Sequence, residues 1–142
     1  MNLALTPLCT IESLLTEPAV VGKGAGVIQE RYQVLHATLT GTRLNGTMQG
    51  RSDWDWMSSP SGVGTLTVRA VITTHDGATI SVRYTARSDI THGVGTAPGY
   101  AAPVFSTTSP DYLWLNFVQG VGRGTLVGDH IHWDWYVVSD TP

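Results

Sequence analysis

Two carboxylates set among indoles, Asp53-Trp54-Asp55-Trp56, are the side chains of this chain best suited to moving a proton. A carboxylate desolvated by aromatic rings acquires a raised pKa and becomes a workable general base near neutral pH. Asp53 is the stronger candidate and Asp55 the weaker; the competing reading is a turn whose carboxylates cap backbone amides. Arg69 and Tyr84 make a second set. Counting outward from a two-residue Asp76-Gly77 turn sets them opposite each other across a hairpin. Inside a barrel, a guanidinium beside a phenol would bind a carboxylate or stabilise an enolate. On the outer face the same pair would be a solvated contact of little consequence.

A third set is Tyr112, Trp114 and Asn116, where one amide among rings would orient a bound molecule. The plainer reading is an amide that satisfies backbone groups near a bulge. The last set, His130, His132 and Asp134, has the types of a two-histidine, one-carboxylate metal site. Arg123 falls opposite Asp134, and a cation there opposes a metal, so no metal is expected. No phosphate loop or nucleophile elbow is present; Gly120-Val121-Gly122-Arg123-Gly124 opens onto a strand rather than a helix N-terminus.

The elements that must carry these groups read as strands. β-branched and aromatic residues fall in short runs bounded by Gly, Pro, Asp and Ser, near 2–14, 19–23, 27–41, 43–50, 63–74, 78–88, 103–107, 112–127 and 130–138. The stretches 51–62 and 89–101 read as long loops at a barrel mouth. A Gly128-Asp129 turn pairs Gly124 with Trp133 and Gly122 with Trp135. A glycine facing each indole leaves room for the ring to cross the strand, as in strongly curved sheets. The same parity carried back through Val118 puts Asn116, Trp114 and Tyr112 on that face. The expected fold is all-β: a single closed antiparallel barrel of about 8–10 strands over residues 1–142, with an aromatic lumen.

Composition narrows the partners. Of 142 residues, 42% are hydrophobic and 13% charged, enough apolar surface for a core and too little charge for disorder. Net charge is −3 and Lys23 is the only lysine, so nucleic acid is not an expected partner. Cys9 is the single cysteine, which excludes an internal disulfide and fits an inert core position. Glu12 and Glu17 interrupt the N-terminal region, no basic segment precedes them, and no apolar run reaches membrane-helix length. A cytoplasmic protein with no membrane association is expected.

Several segments, in order, carry a likeness: Leu8-Cys9-Thr10-Ile11-Glu12, Gly41-Thr42-Arg43-Leu44-Asn45-Gly46, Ser52-Asp53-Trp54, Asp76-Gly77-Ala78, Ala102-Pro103-Val104-Phe105 and Tyr112-Leu113-Trp114-Leu115-Asn116. The chain resembles bacterial and fungal proteins grouped as domain of unknown function 3237, the UPF0311-type barrels. That resemblance implies a closed antiparallel barrel, often oligomeric, with no general activity assigned. It singles out Arg43, Asp53, Trp54, Arg69, Tyr84, Trp114 and Asn116. The chain departs from the pattern in two places. Gly99-Tyr100-Ala101 stands where an aromatic-aromatic-arginine run is usual, and Thr67 replaces an acidic residue near Arg69.

The resulting expectation is a small molecule held in the lumen by a cofactor-independent lyase, isomerase or cyclase. Asp53 would act as base, Arg69 and Tyr84 as anion stabilisers, and Trp54, Trp114, Asn116 and Arg43 as binding groups. The alternatives are a non-catalytic carrier or sensor, and an oligomeric structural barrel in which Leu113, Leu115 and Phe117 bury an interface between copies.

Overall fold

Alternation decides which residues turn inward. Along β7 (Val63–Thr74), Leu66, Val68, Ala70 and Ile72 are buried while Thr67, Arg69, Val71 and Thr73 are exposed. Its neighbour β8 (Thr79–Asp89) buries Ile80, Val82, Tyr84 and Ala86 and exposes Arg83, Thr85 and Arg87. Period-two apolar patterns of this kind place one face of a strand on a core.

The structure, a computed structural model, describes residues 2–16, 19–32, 34–48 and 53–140. The remaining strands in the first half are β1 (Leu3–Leu15), β2 (Ala19–Gly24), β3 (Val27–Tyr32), β4 (Val34–Thr40), β5 (Gly46–Met48) and β6 (Asp53–Ser58). The second half adds β9 (Gly99–Ala101), β10 (Val104–Ser106), a 3-10 helix (Pro110–Phe117), β11 (Gly120–Val127) and β12 (His130–Asp140). All twelve strands form one sheet. It closes into an eight-stranded antiparallel barrel, β1-β4-β5-β7-β8-β9-β11-β12, with β12 returning to β1. β6, β3 and β2 extend from β7 as a flap, and β10 borders β8. The closing seam pairs the two ends of the chain, from Leu3 with Asp140 to Leu14 with His130. No helix among the described residues is long and apolar enough to cross a membrane.

The register of the C-terminal hairpin follows its two-residue turn: Gly124 pairs with Trp133 and Gly122 with Trp135. Both indoles are buried. A methyl group on Gly122 would meet Trp135 Cδ1 at 2.5 Å, and one on Gly124 would meet Trp133 Cε3 at 2.6 Å.

The β7–β8 hairpin differs from its expected register. Its turn uses three residues, His75-Asp76-Gly77, closed by the Thr74 amide donating to the Ala78 carbonyl at 2.9 Å, with Gly77 at φ 90°. A left-handed third position makes this the three-residue hairpin loop rather than the two-residue one. Every pairing therefore moves by one: Val68, not Arg69, stands opposite Tyr84, and Arg69 stands opposite Arg83. A one-residue slip exchanges faces.

Segment 112–117 is helix, not strand. Pro110 opens it after Ser109, Tyr112 and Leu115 are buried, and Leu113 and Phe117 are exposed. The helix covers the end of the barrel that bears the His75–Gly77 turn: the Tyr112 hydroxyl donates to both Asp76 carboxylate oxygens at 2.9 Å. Cys9 lies in the core, where burial pushes its thiol up to about 12.

Candidate functional site: an aromatic cavity at the barrel mouth

The opposite end of the barrel is open. β1 ends there at Leu15, whose amide donates to the Asp129 carbonyl of the β11–β12 turn at 2.9 Å. β9 brings Gly99 between Ser88 and Gly124, and the segment after β8 bends over it through Gly93 (φ 111°) and Gly95 (φ 86°). The Ser88 hydroxyl anchors that segment by donating to the Ala97 carbonyl at 3.2 Å. These walls line an open-mouthed cavity of about 290 Å³. Its lining includes Trp54, Trp56 and Trp133 with Leu66, Ala86 and Ile131, and the polar residues Arg87, Ser88, Thr125 and Asp129.

Each indole has its own support. Trp56, half-buried, donates its Nε1–H to the Ser58 hydroxyl at 2.7 Å and lies where a methyl on Gly64 would sit 2.4 Å from its Cη2. Trp54 (1% exposed) and Trp133 (3% exposed) lie deeper, and neither Nε1 has a hydrogen-bond partner. Beneath them Tyr84 is packed edge-to-face against Trp54, Trp133 and Trp135, with centroids 6.4, 5.8 and 5.3 Å away. Burial holds the Tyr84 phenol far above its ordinary range, so it is neutral at any physiological pH.

The expected site residues do not converge on this cavity. Trp54 lines it, and Tyr84 lies in the core below. Arg69 is on the outer wall, because of the shifted register. The backbone of Asp53 pairs with Arg69, and its side chain lies outside the described residues. Asp55 is ion-paired with Arg31 at 3.0 Å.

Arg43 and Trp114 are at the helix-covered end, the guanidinium 3.7 Å above the indole centroid. Asn116 is exposed; its amide accepts from the Thr107 N–H and donates to the Thr107 carbonyl, both at 2.9 Å, the plain backbone role. The lumen thus receives neither Trp114 nor Asn116, since the helix breaks the strand parity that would have turned them inward.

His130 and His132 do not make a metal pair. His132 Nδ1 engages Glu12 and its Nε2 lies 3.0 Å from Asp134, while His130 faces Asp129. The bond from Glu12 is the main cause of a raised His132 pKa. Among the described residues no three such side chains are grouped to hold a metal ion.

Trp56 and Trp133 are the site residues that the spacing undervalued. The glycine that accommodates each ring, Gly64 and Gly124, was the available signal.

The fold and site define a closed antiparallel barrel with an aromatic pocket in one mouth and a helix over the other. The family model described as "Protein of unknown function (DUF3237)" matches residues 3–138, and the chain belongs to that family. No curated protein matches.

Solved structures share the fold. A protein of unknown function from Clostridium acetobutylicum superposes with a TM-score of 0.88 at 20% identity, covering 98% of this chain and 100% of its own. A β-barrel-like protein from Acinetobacter baumannii gives 0.87 at 20% identity, covering 98% of each chain. An enzyme from Penicillium herquei gives 0.72 at 21% identity, covering 96% of this chain and 93% of its own.

Proposed function

We propose that the protein binds a small, largely apolar molecule in the mouth cavity, between Trp54, Trp56 and Trp133. The observation that carries this reading is the cavity itself: about 290 Å³ of open-mouthed space lined largely by three indoles and aliphatic side chains. Barrels of this size either fill with side chains or hold one small ligand. A dry cavity of about 150 Å³ accepts a benzene, so a bicyclic ring system suits this one.

The test is an NMR titration with naphthalene, following the five indole N–H signals assigned by single Trp→Phe variants. Trp54, Trp56 and Trp133 should shift while Trp114, at the other end, stays put. Absence of any shift up to the solubility limit of naphthalene, or a shift confined to Trp114, would sink the reading.

A second reading is the cofactor-independent isomerase, lyase or cyclase. A largely apolar cavity able to orient a substrate supports it, as does the shared fold of the Penicillium herquei enzyme. In that case the cavity supplies positioning. The distinguishing measurement is whether a natural ligand recovered from the protein is released unchanged or converted. A homo-oligomer is supported by Phe117 (89% exposed) and by exposed Leu113, whereas Leu115 belongs to the core. Light scattering that shows a monomer removes this part.

A further inference from the structure

The seam that closes the barrel, β1 against β12, ends at the mouth. Its last pair is Leu14 with His130, and beyond it the Leu15 amide donates to the Asp129 carbonyl at 2.9 Å. Leu15 and Asp129 both line the mouth cavity. Two residues below that last pair, on the outer face, Glu12 of β1 stands opposite His132 of β12, and Thr10 stands opposite Asp134. The His132 ring lies between two carboxylates. Its Nδ1 engages Glu12 across the seam, and its Nε2 is 3.0 Å from Asp134 on its own strand.

Holding both carboxylates requires one protonation state of the ring. A neutral imidazole has one N–H and one bare nitrogen, whereas the imidazolium donates from both. Between two ionised carboxylates, the neutral ring ties one and turns a lone pair toward the other. Only the cation makes two charge-assisted bonds. Neighbouring groups supply no substitute for it. On β11, Thr125 stands opposite His132, and Arg123 stands opposite Asp134 without forming an ion pair among the described residues. On β4, Thr38 stands opposite Glu12, and its hydroxyl is bonded to His36 Nε2 at 2.8 Å. On β12 itself, His130 is 2.9 Å from Asp129 and does not bridge to β1.

We propose that Glu12, His132 and Asp134 form a proton-operated clasp on the outside of the seam, which holds the mouth end of the barrel closed while His132 is charged and lets it fray when His132 is neutral. Fraying there breaks the bond from Leu15 to Asp129 and widens the entrance to the cavity. The clasp acts on the cavity wall and does not depend on what the cavity holds.

The direction with pH follows from the ring's partners. The Glu12 bond raises the His132 pKa above its ordinary 6.5, desolvation works against it, and the Asp134 bond adds to the rise. A raised folded-state pKa gives a contribution that is complete below the unfolded value and is lost as pH rises through the folded one. All three side chains are 37–62% exposed, so solvent screens the contacts. Two such pairs make opening between about twofold and about tenfold more frequent once the proton is gone.

Hydrogen exchange of the Leu15 amide, corrected for its intrinsic rate at each pH, reads the fraying. From about pH 5.5 to about pH 8.5 its protection should fall by that factor, with a midpoint at the His132 pKa measured by NMR titration of the ring protons. Most of the dependence should be lost in His132→Gln and reduced in Glu12→Gln, which also lowers the His132 midpoint. It should remain in His130→Gln. These positions are on the surface, so the variants test the clasp rather than the core. Leu15 protection that ignores the His132 titration, or falls as much in His132→Gln as in wild type, would overturn the proposal. So would a wild-type His132 midpoint at or below the ordinary value.

Discussion

Glycine at three places gives the aromatic wall its geometry. Trp133 occupies the space that a side chain at 124 would fill, Trp135 that at 122, and Trp56 that at 64. Gly124→Ala would drive a methyl to 2.6 Å from a rigid indole that is itself buried, so either the ring or the strand must move. Overpacking of this kind costs about 1–3 kcal/mol. Gly22→Ala, on the exposed strand β2 with no atom within 4 Å of the new methyl, should change stability by less than about 1 kcal/mol. Chemical denaturation of the two variants separates these cases; equal losses would mean that the indole contact is not what constrains position 124. The pairing of Gly124 with Trp133 was legible in the sequence because Gly128-Asp129 is a true two-residue turn. The companion turn misled, since Asp76-Gly77 has the same appearance but His75 joins the loop. One residue of turn length moved Arg69 from beside Tyr84 to the outer wall.

Among the elements, the helix Pro110–Phe117 is the piece that periodicity concealed. Tyr112, Trp114 and Asn116 alternate as a strand would, yet Ser109-Pro110-Asp111 is a helix opening: an N-cap type, a proline in the first turn and an acid beside it. Strand β6 was hidden differently, because Asp53 and Asp55 alternate with Trp54 and Trp56 in a stretch rich in turn residues. The helix is fastened to the β7–β8 turn by Asp76, whose carboxylate accepts from the hydroxyls of Thr74 and Tyr112. The Thr74 bond, followed by the Tyr112 bond, holds the Asp76 carboxyl below its ordinary 3.8. A depressed folded-state pKa stabilises the protein above the unfolded value, and that contribution is lost as pH falls through the folded one. Wild type and Asp76→Asn should therefore differ in denaturation midpoint at about pH 6 and draw together by about pH 2. Tyr112→Phe should remove part of the same acid dependence, because it deletes one of the two donors. A gap between wild type and Asp76→Asn that stays constant over this range would show that the carboxylate's charge is not what fastens the helix.

At the scale of the molecule, the barrel closes only when the ends of the chain meet, along a seam that runs from Leu3 with Asp140 to Leu14 with His130. The cavity is assembled from positions as distant as Leu15, Trp54, Ala86 and Trp133, so no fragment of the chain offers it and the unfolded chain has nothing comparable to bind. Ligand binding must then appear in full as stability. At about a hundred times its Kd, an occupant raises the unfolding free energy by about 2.7 kcal/mol, which for a chain of this length is a shift in Tm of roughly 8–10 °C. The helix-covered end should be energetically separate from the mouth. Asp76 and Tyr112 share no hydrogen-bond partner with Trp54 or Trp133, and sites without shared partners add to within about 0.5 kcal/mol. Thermal unfolding of wild type and Tyr112→Phe, each with and without naphthalene, closes the cycle. Tyr112→Phe should lower Tm, and naphthalene should raise it by the same increment in both backgrounds. A ligand increment that differed by more than about 1 kcal/mol between them would mean that the two ends communicate through the packed core around Tyr84.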